Sequence, residues 1–160
     1  MISLTELGGG TDSLTRFTSE FFGKSGALSR LKDFEFRPEQ QAMAVAVARA
    51  LEEERPLVVE AGTGVGKSLA YLAPAVRKSI EEGRKAILST HTINLQEQLI
   101  EKDIPLLQSV IGEPFRALLL KGRRNYLCPL RLQIAMSGGG ELFTASELEE
   151  LKGIWEWAET

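Results

Sequence analysis

Residues 61–68 read Ala-Gly-Thr-Gly-Val-Gly-Lys-Ser and follow the apolar run Leu57-Val58-Val59. A buried strand running into a glycine-rich loop that ends in Gly-Lys-Ser and opens a helix has the pattern of a phosphate-binding loop. The residue types explain why. Gly62, Gly64 and Gly66 permit backbone conformations closed to other residues, so that successive N–H groups can turn inward on a phosphate. The N-terminus of the following helix adds its positive end. Lys67 brings a compact cation to the β- and γ-phosphates, and the Ser68 hydroxyl is placed to ligand Mg²⁺. Ala61, Thr63 and Val65 complete the loop. Ala61 stands where this motif usually has its first glycine, a position that closes the turn and accepts a small side chain.

The elements that must position this loop follow from periodicity. Pro38 to Glu54 has a helical pattern: Pro38 suits a first turn, Arg37 before it is pushed toward extended geometry, and Met43, Val47, Ala50 and Leu51 share a face. Arg55-Pro56 ends it. Three apolar segments, Leu57–Ala61, Ala86–Thr90 and Arg116–Leu120, are expected strands. A helix from Lys67 to about Gly83, kinked at Pro74, separates the first two, and a helix from about Thr92, interrupted at Pro105, separates the others. Alternating strands and helices predict an α/β fold, a parallel sheet with right-handed crossovers and flanking helices. Ligand sites then lie at the carboxyl ends of the strands. The phosphate loop, Thr90–Gln96 and Lys121–Tyr126 leave those ends and are expected to share one edge.

Upstream, Leu14, Phe17, Phe21 and Phe22 predict a short amphipathic helix between the turn-formers Gly8-Gly9-Gly10 and Gly23–Gly26. Downstream, Ser137-Gly138-Gly139-Gly140 reads as a flexible break. Thr144 and Glu147 form a capping-box pattern before a helix carrying Leu148, Leu151 and Trp155 and an acidic, solvated face.

The chain has 160 residues, 43% apolar content and a net charge of −3. Nothing global advertises a nucleic-acid partner, so any such binding must use a local basic surface. One cysteine and one histidine exclude an internal disulfide framework and a Cys/His metal cluster built from this chain alone. There is no secretory signal pattern and no apolar run of the ~20 residues that span a bilayer, so a cytoplasmic protein without a membrane partner is expected.

Three further stretches carry a family resemblance. Phe36-Arg37-Pro38-Glu39-Gln40 resembles the Q motif of superfamily-two helicases, in which a glutamine amide meets the donor and acceptor of the adenine edge. Ser89-Thr90-His91-Thr92, with Leu95-Gln96 and Gln98-Leu99, resembles motif Ia, which holds single-stranded DNA by its backbone. Leu120-Lys121-Gly122-Arg123-Arg124-Asn125-Tyr126-Leu127-Cys128 resembles the approach to the first cysteine of an inserted iron–sulfur domain. Together they resemble the DinG-like and XPD-like iron–sulfur DNA helicases. That resemblance implies ATP and Mg²⁺ as cofactors, held by Arg37, Gln40 and residues 61–68, with Lys67 and Ser68 in catalytic roles. It implies single-stranded DNA as partner, touched by Thr90, Thr92, Lys121 and Arg124, and Cys128 as one of four ligands of a 4Fe-4S cluster. A monomer is expected.

The same resemblance implies residues 1–33 as a helical extension, 34–127 as the first part of a RecA-like lobe, and 128–160 as the start of the iron–sulfur insertion. The acidic box that anchors Mg²⁺ and activates water in this family, the second lobe and three cluster cysteines have no counterpart in these residues. The chain is therefore expected to be the N-terminal part of a helicase, inactive alone. A P-loop kinase or phosphotransferase and a non-catalytic nucleotide-binding module remain the alternatives. By residue type, Phe36 reads as a core anchor and His91 as structural, while the Glu60 carboxylate beside a phosphate site has no evident role.

Overall fold

The structure is a computed structural model that describes residues 13–32, 34–138 and 143–159. The expected turn at Gly8-Gly9-Gly10 lies outside the described residues, as do Gly139 and Gly140 of the expected break. The chain divides into two compact units, residues 1–118 and 119–160.

The first unit is built on three long-contact helices. Helix α1 (Leu14–Phe21) starts where the Ser13 hydroxyl accepts from the Arg16 N–H at 3.2 Å. Its apolar stripe buries Leu14, Thr18 and Phe21, and Phe22 follows, fully buried, with its ring edge-on to Phe21. Helix α2 (Pro38–Glu52) opens on proline after an extended Arg37, as the sequence predicts. It buries Gln40, Ala44 and Ala48, one residue per turn. These are its most deeply buried residues, with half-buried Met43 also packed against the core. Small alanines win there because they let α2 approach α1 and α3 closely. Met43, Val47, Ala50 and Leu51 are half-buried and line an apolar groove of about 320 Å³ with Arg55, Leu57 and Val59.

Helix α3 (Lys67–Glu82) runs without interruption through buried Pro74 and stops at Gly83, whose φ of 63° suits glycine. Ala70, Leu72, Ala73 and Val76 are its buried face. Lys78 donates to the Leu51 carbonyl at 2.8 Å, satisfying one of the orphan acceptors at the end of α2. Helix α4 (Ile93–Gln98) passes into a π-helical turn (Leu99–Asp103) and then into α5 (Ile104–Ile111), which ends at left-handed Gly112. Pro105 explains the π turn. It has no N–H for the Glu101 carbonyl and its ring collides with that turn, so the ordinary ladder cannot continue. Leu99, Ile104 and Leu107 join Phe21, Phe22, Leu28, Ala44, Ala70, Leu72, Ala73 and Val76 in a single core.

The expected sheet is the main departure. Among the described residues no strand forms: Leu57–Ala61, Ala86–Thr90 and Arg116–Leu120 carry no ladder. Val58 is 96% exposed and Ile87 93%. A helix satisfies its amides within itself, whereas a strand exists only against a neighbour that takes its N–H and C=O groups. The crossover pattern predicts strands but supplies no neighbour.

In the second unit, a short 3₁₀ turn (Arg123–Asn125) leads to α6 (Pro129–Gly138) and α7 (Ala145–Glu159), which pack on each other. Ser137 and Gly138, expected in a break, belong to α6, where the Ser137 hydroxyl bonds back to the Gln133 carbonyl at 3.0 Å. The Thr144–Glu147 capping box is present: Glu147 accepts from the Thr144 N–H at 2.7 Å and Thr144 Oγ1 accepts in return at 3.4 Å. Among the described residues no helix is long and apolar enough to cross a membrane.

Candidate nucleotide-binding site

The loop 61–66 joins the first extended segment to α3, and its glycines have unequal roles. Gly64 and Gly66 sit at φ 83° and 82°, a region L side chains rarely adopt. Gly66 is also crowded: a Cβ there would lie 2.1 Å from Gln40 Nε2. Gly62 has neither constraint, since its φ lies outside the left-handed region and a Cβ would meet nothing within 4 Å. The expectation that all three glycines are needed for backbone conformation is thus corrected for Gly62.

Two residues from the start of α2 clasp the loop. Gln40, only 6% exposed, donates through Nε2 to the Gly66 carbonyl at 2.9 Å. Arg37 donates to the Gly64 carbonyl and holds Glu35 at 2.9 Å. In a trans peptide the N–H following each of these carbonyls, those of Val65 and Lys67, points the opposite way, away from the clasp. Lys67 folds back over the same loop, donating to the carbonyls of Ala61 at 2.8 Å and Gly62 at 3.0 Å. Its side chain therefore already spans the loop. Thr63 is exposed, Val65 is half-buried, and Glu60 is exposed, so its carboxylate stays hydrated. Phe36 is half-buried beneath the Lys24 ammonium, 5.5 Å from the ring centroid.

Ser68, the next residue, lies near Tyr71 and Asp103 and influences the acidity of both. Burial raises the Tyr71 phenol, Ser68 opposes it and nearby Asp103 adds to it. Burial also raises the Asp103 carboxyl, opposed by Gln98, by Ser68 and by the Lys102 charge. The hard oxygen of Ser68 at the head of α3 suits Mg²⁺. Neither Tyr71 nor Asp103 was singled out by sequence reasoning. The one available signal was Pro105, which forces the turn that carries Asp103.

Thr92 caps α4, its Oγ1 accepting from the Leu95 N–H at 3.3 Å, and the Thr90 hydroxyl reaches the Thr92 carbonyl at 3.4 Å. Thr90 and Thr92 therefore lie in the same unit as the loop, on the chain leading to Gln98. Lys121, Arg124 and Cys128 belong to the second unit. There the Lys121 N–H donates to the Tyr126 hydroxyl at 2.8 Å. Arg123, Arg124, Tyr126, half-buried Cys128 and Arg131 line a cavity of about 840 Å³. Arg131, one turn past Cys128, is a basic residue the sequence reading passed over. Among the described residues no group of three or more His, Cys, Asp or Glu side chains is placed to hold a metal.

A glycine loop clasped from behind, with a lysine across it and a serine at the head of the next helix, defines a P-loop NTPase. A family model for the DEAD/DEAH box helicases matches residues 38–125, more than half of the chain, and the chain belongs to that family. It is 42% identical over 140 residues to the ATP-dependent DNA helicase YoaA of Haemophilus influenzae, covering 87% of this chain and 21% of that one. It is 45% identical over 122 residues to YoaA of Escherichia coli K12, covering 76% and 19%. Against the ATP-dependent helicase DinG of Mycobacterium tuberculosis H37Rv it is 50% identical over 93 residues, 56% of this chain and 14% of the relative. The chain thus spans about a fifth of the length of the curated YoaA relatives it matches. No solved structure matches it.

Proposed function

We propose that these residues are the nucleotide-binding part of an ATP-dependent DNA helicase, in which ATP turnover drives movement along single-stranded DNA. The observation that carries this reading is the clasp of Arg37 and Gln40 on the carbonyls of Gly64 and Gly66, which joins the Q-motif segment to the phosphate loop. The family match sets aside the phosphotransferase alternative.

In this reading the loop amides and Lys67 hold the β- and γ-phosphates, Lys67 exchanging its two carbonyl acceptors for phosphate oxygens. Ser68 would hold Mg²⁺ through its hydroxyl oxygen, and the ion would supply charge neutralisation at the phosphates. Gln40 has its carbonyl oxygen and one amide hydrogen left for the adenine edge after binding Gly66. Hydrolysis also needs a carboxylate to orient the attacking water, and the family's acidic box is not among these residues. Binding, not turnover, is what this chain performs. The three extended apolar segments are the strands of a sheet completed by strands from outside these residues. Residues 34–127 are then the first part of a RecA-like lobe.

Thr90, Thr92, Lys121 and Arg124 contact the DNA backbone, so binding is insensitive to sequence and weakens with salt. One thiolate does not make an iron–sulfur site, and this chain's residues alone do not fit a cluster. Cys128 serves as one ligand of a 4Fe-4S cluster whose other three lie outside this chain.

The test is Lys67→Ala. In this chain it removes most ATP affinity and leaves the far-ultraviolet circular dichroism spectrum unchanged. In the longer protein it abolishes DNA-stimulated hydrolysis. ATPase activity within a few-fold of wild type rejects the nucleotide-site assignment.

A further inference from the structure

The four residues before α2 alternate in character: Phe34, Glu35, Phe36, Arg37. In extended backbone alternate side chains share a face. Phe34 packs against the core and Phe36 lies half-buried under Lys24, so Glu35 and Arg37 share the outer face. Pro38 keeps Arg37 extended, at φ −126° and ψ 110°. The two side chains meet there. Arg37 Nη2 donates to Glu35 Oε2 at 2.9 Å, and Nε donates to the same oxygen at 3.3 Å. Nη1 is left to donate to the Gly64 carbonyl.

A guanidinium is a rigid planar fork, so fixing one edge fixes the direction of the rest. That matters at Gly64, which sits at φ 83° and has the freedom of a glycine. Its peptide group keeps one orientation only if something outside the loop holds the carbonyl, and Arg37 does so. The Val65 N–H of the same trans peptide then points the other way. Lys67 ties a different part of the loop, the carbonyls of Ala61 and Gly62. When Lys67 turns to a phosphate, those ties are released, and Arg37 and Gln40 are the ones that stay.

We propose that Glu35 is a positioning residue for the phosphate loop. It holds the Arg37 fork so that Nη1 stays on the Gly64 carbonyl and the Val65 N–H stays turned toward the phosphates. This inference rests on the nucleotide-site reading above. Two simpler effects of Glu35 lead to different results. By charge alone a carboxylate near a polyphosphate repels it, so removing Glu35 would tighten ATP binding. As an ordinary exposed ion pair, with the Glu35 side chain 75% exposed, it would leave binding unchanged. Holding the fork is the effect that makes removal weaken binding.

The experiment measures binding of a fluorescent ATP analogue to the longer protein and its displacement by pyrophosphate and by adenosine. Glu35→Ala is expected to weaken the analogue and pyrophosphate by about 3-fold and adenosine not at all, because the loop holds only the phosphates. Arg37→Ala weakens the first two by about 10-fold, through loss of a charged hydrogen bond. The double variant is no worse than Arg37→Ala alone, because Glu35 acts through Arg37. Arg37→Lys keeps the charge without the fork and is expected to bind like Arg37→Ala. Unchanged or tighter ATP binding in Glu35→Ala overturns the proposal. So does an equal loss for adenosine, which marks a general disturbance of the fold. A further loss in the double variant, or wild-type affinity in Arg37→Lys, overturns it too. Lys67→Ala separates the two readings. If it binds nucleotide like wild type, the site assignment itself falls. If it loses binding while Glu35→Ala binds normally, only the role of Glu35 falls.

Discussion

The loop–helix junction at residues 61–82 and the apolar segment just before it are adjacent in sequence and opposite in outcome. Beyond Gly66 the chain enters α3 at Lys67, buries Ala70, Leu72, Ala73 and Val76, and is tied to α2 through Gln40 and Lys78. Before Ala61 it runs extended, with Val58 almost fully exposed. Both stretches are apolar and both carry clear local signals. The difference is where the hydrogen-bond partners come from. A helix brings its own, so an amphipathic stripe needs only one neighbour to cover it. A central strand needs neighbours on both edges and cover on both faces.

The sharpest test of that contrast is a pair of truncations. Leu72 is fully buried, so Leu72→Ala is expected to destabilise the first unit by about 2–5 kcal/mol in urea unfolding. At the other extreme, Ile87→Thr in the exposed second segment should change stability by less than about 0.5 kcal/mol in this chain. A large loss from Ile87→Thr would show that the segment is packed in solution and would erase the contrast.

Within the loop, Gly66→Ala combines a disfavoured φ with a collision against a buried side chain. An expected cost of about 2–3 kcal/mol follows, from left-handed strain and a disrupted Gln40 bond, together with weakened ATP binding. Gly62→Ala, with open space and ordinary φ, should cost less than about 0.5 kcal/mol. Equal thermal shifts for the two variants would contradict the clasp.

Gln40→Ala is expected to have a smaller and more selective effect. Losing one or two hydrogen bonds costs roughly 1–3 kcal/mol, and ATP should suffer more than GTP because Gln40 keeps donor and acceptor capacity for adenine. Equal losses for the two nucleotides, measured by competition, would restrict Gln40 to holding Gly66.

The capped helices were legible because their signals are local. Pro38 opens α2, Gly83 closes α3, α4 starts after Thr92, and Thr144 pairs with Glu147 over a single turn, while the equally local Ser13 cap and Gly112 stop were passed over. The apolar face of α2 read from Met43, Val47, Ala50 and Leu51 is present, but the deepest burial falls beside it on Gln40, Ala44 and Ala48. Strand pairing was not legible at all, since no local pattern names a strand's partner.

For the site, the amino-acid sequence alone pointed to the loop: three glycines, Lys67 and Ser68 follow from residue type and spacing, and the structure then showed that only Gly64 and Gly66 need to be glycine. Only the tertiary structure decided that Gln40 and Arg37 hold that loop from behind. The reason is reach. Bonds within one turn are written in consecutive residues, but a side chain on one helix meets a loop on another only after the core between them has packed.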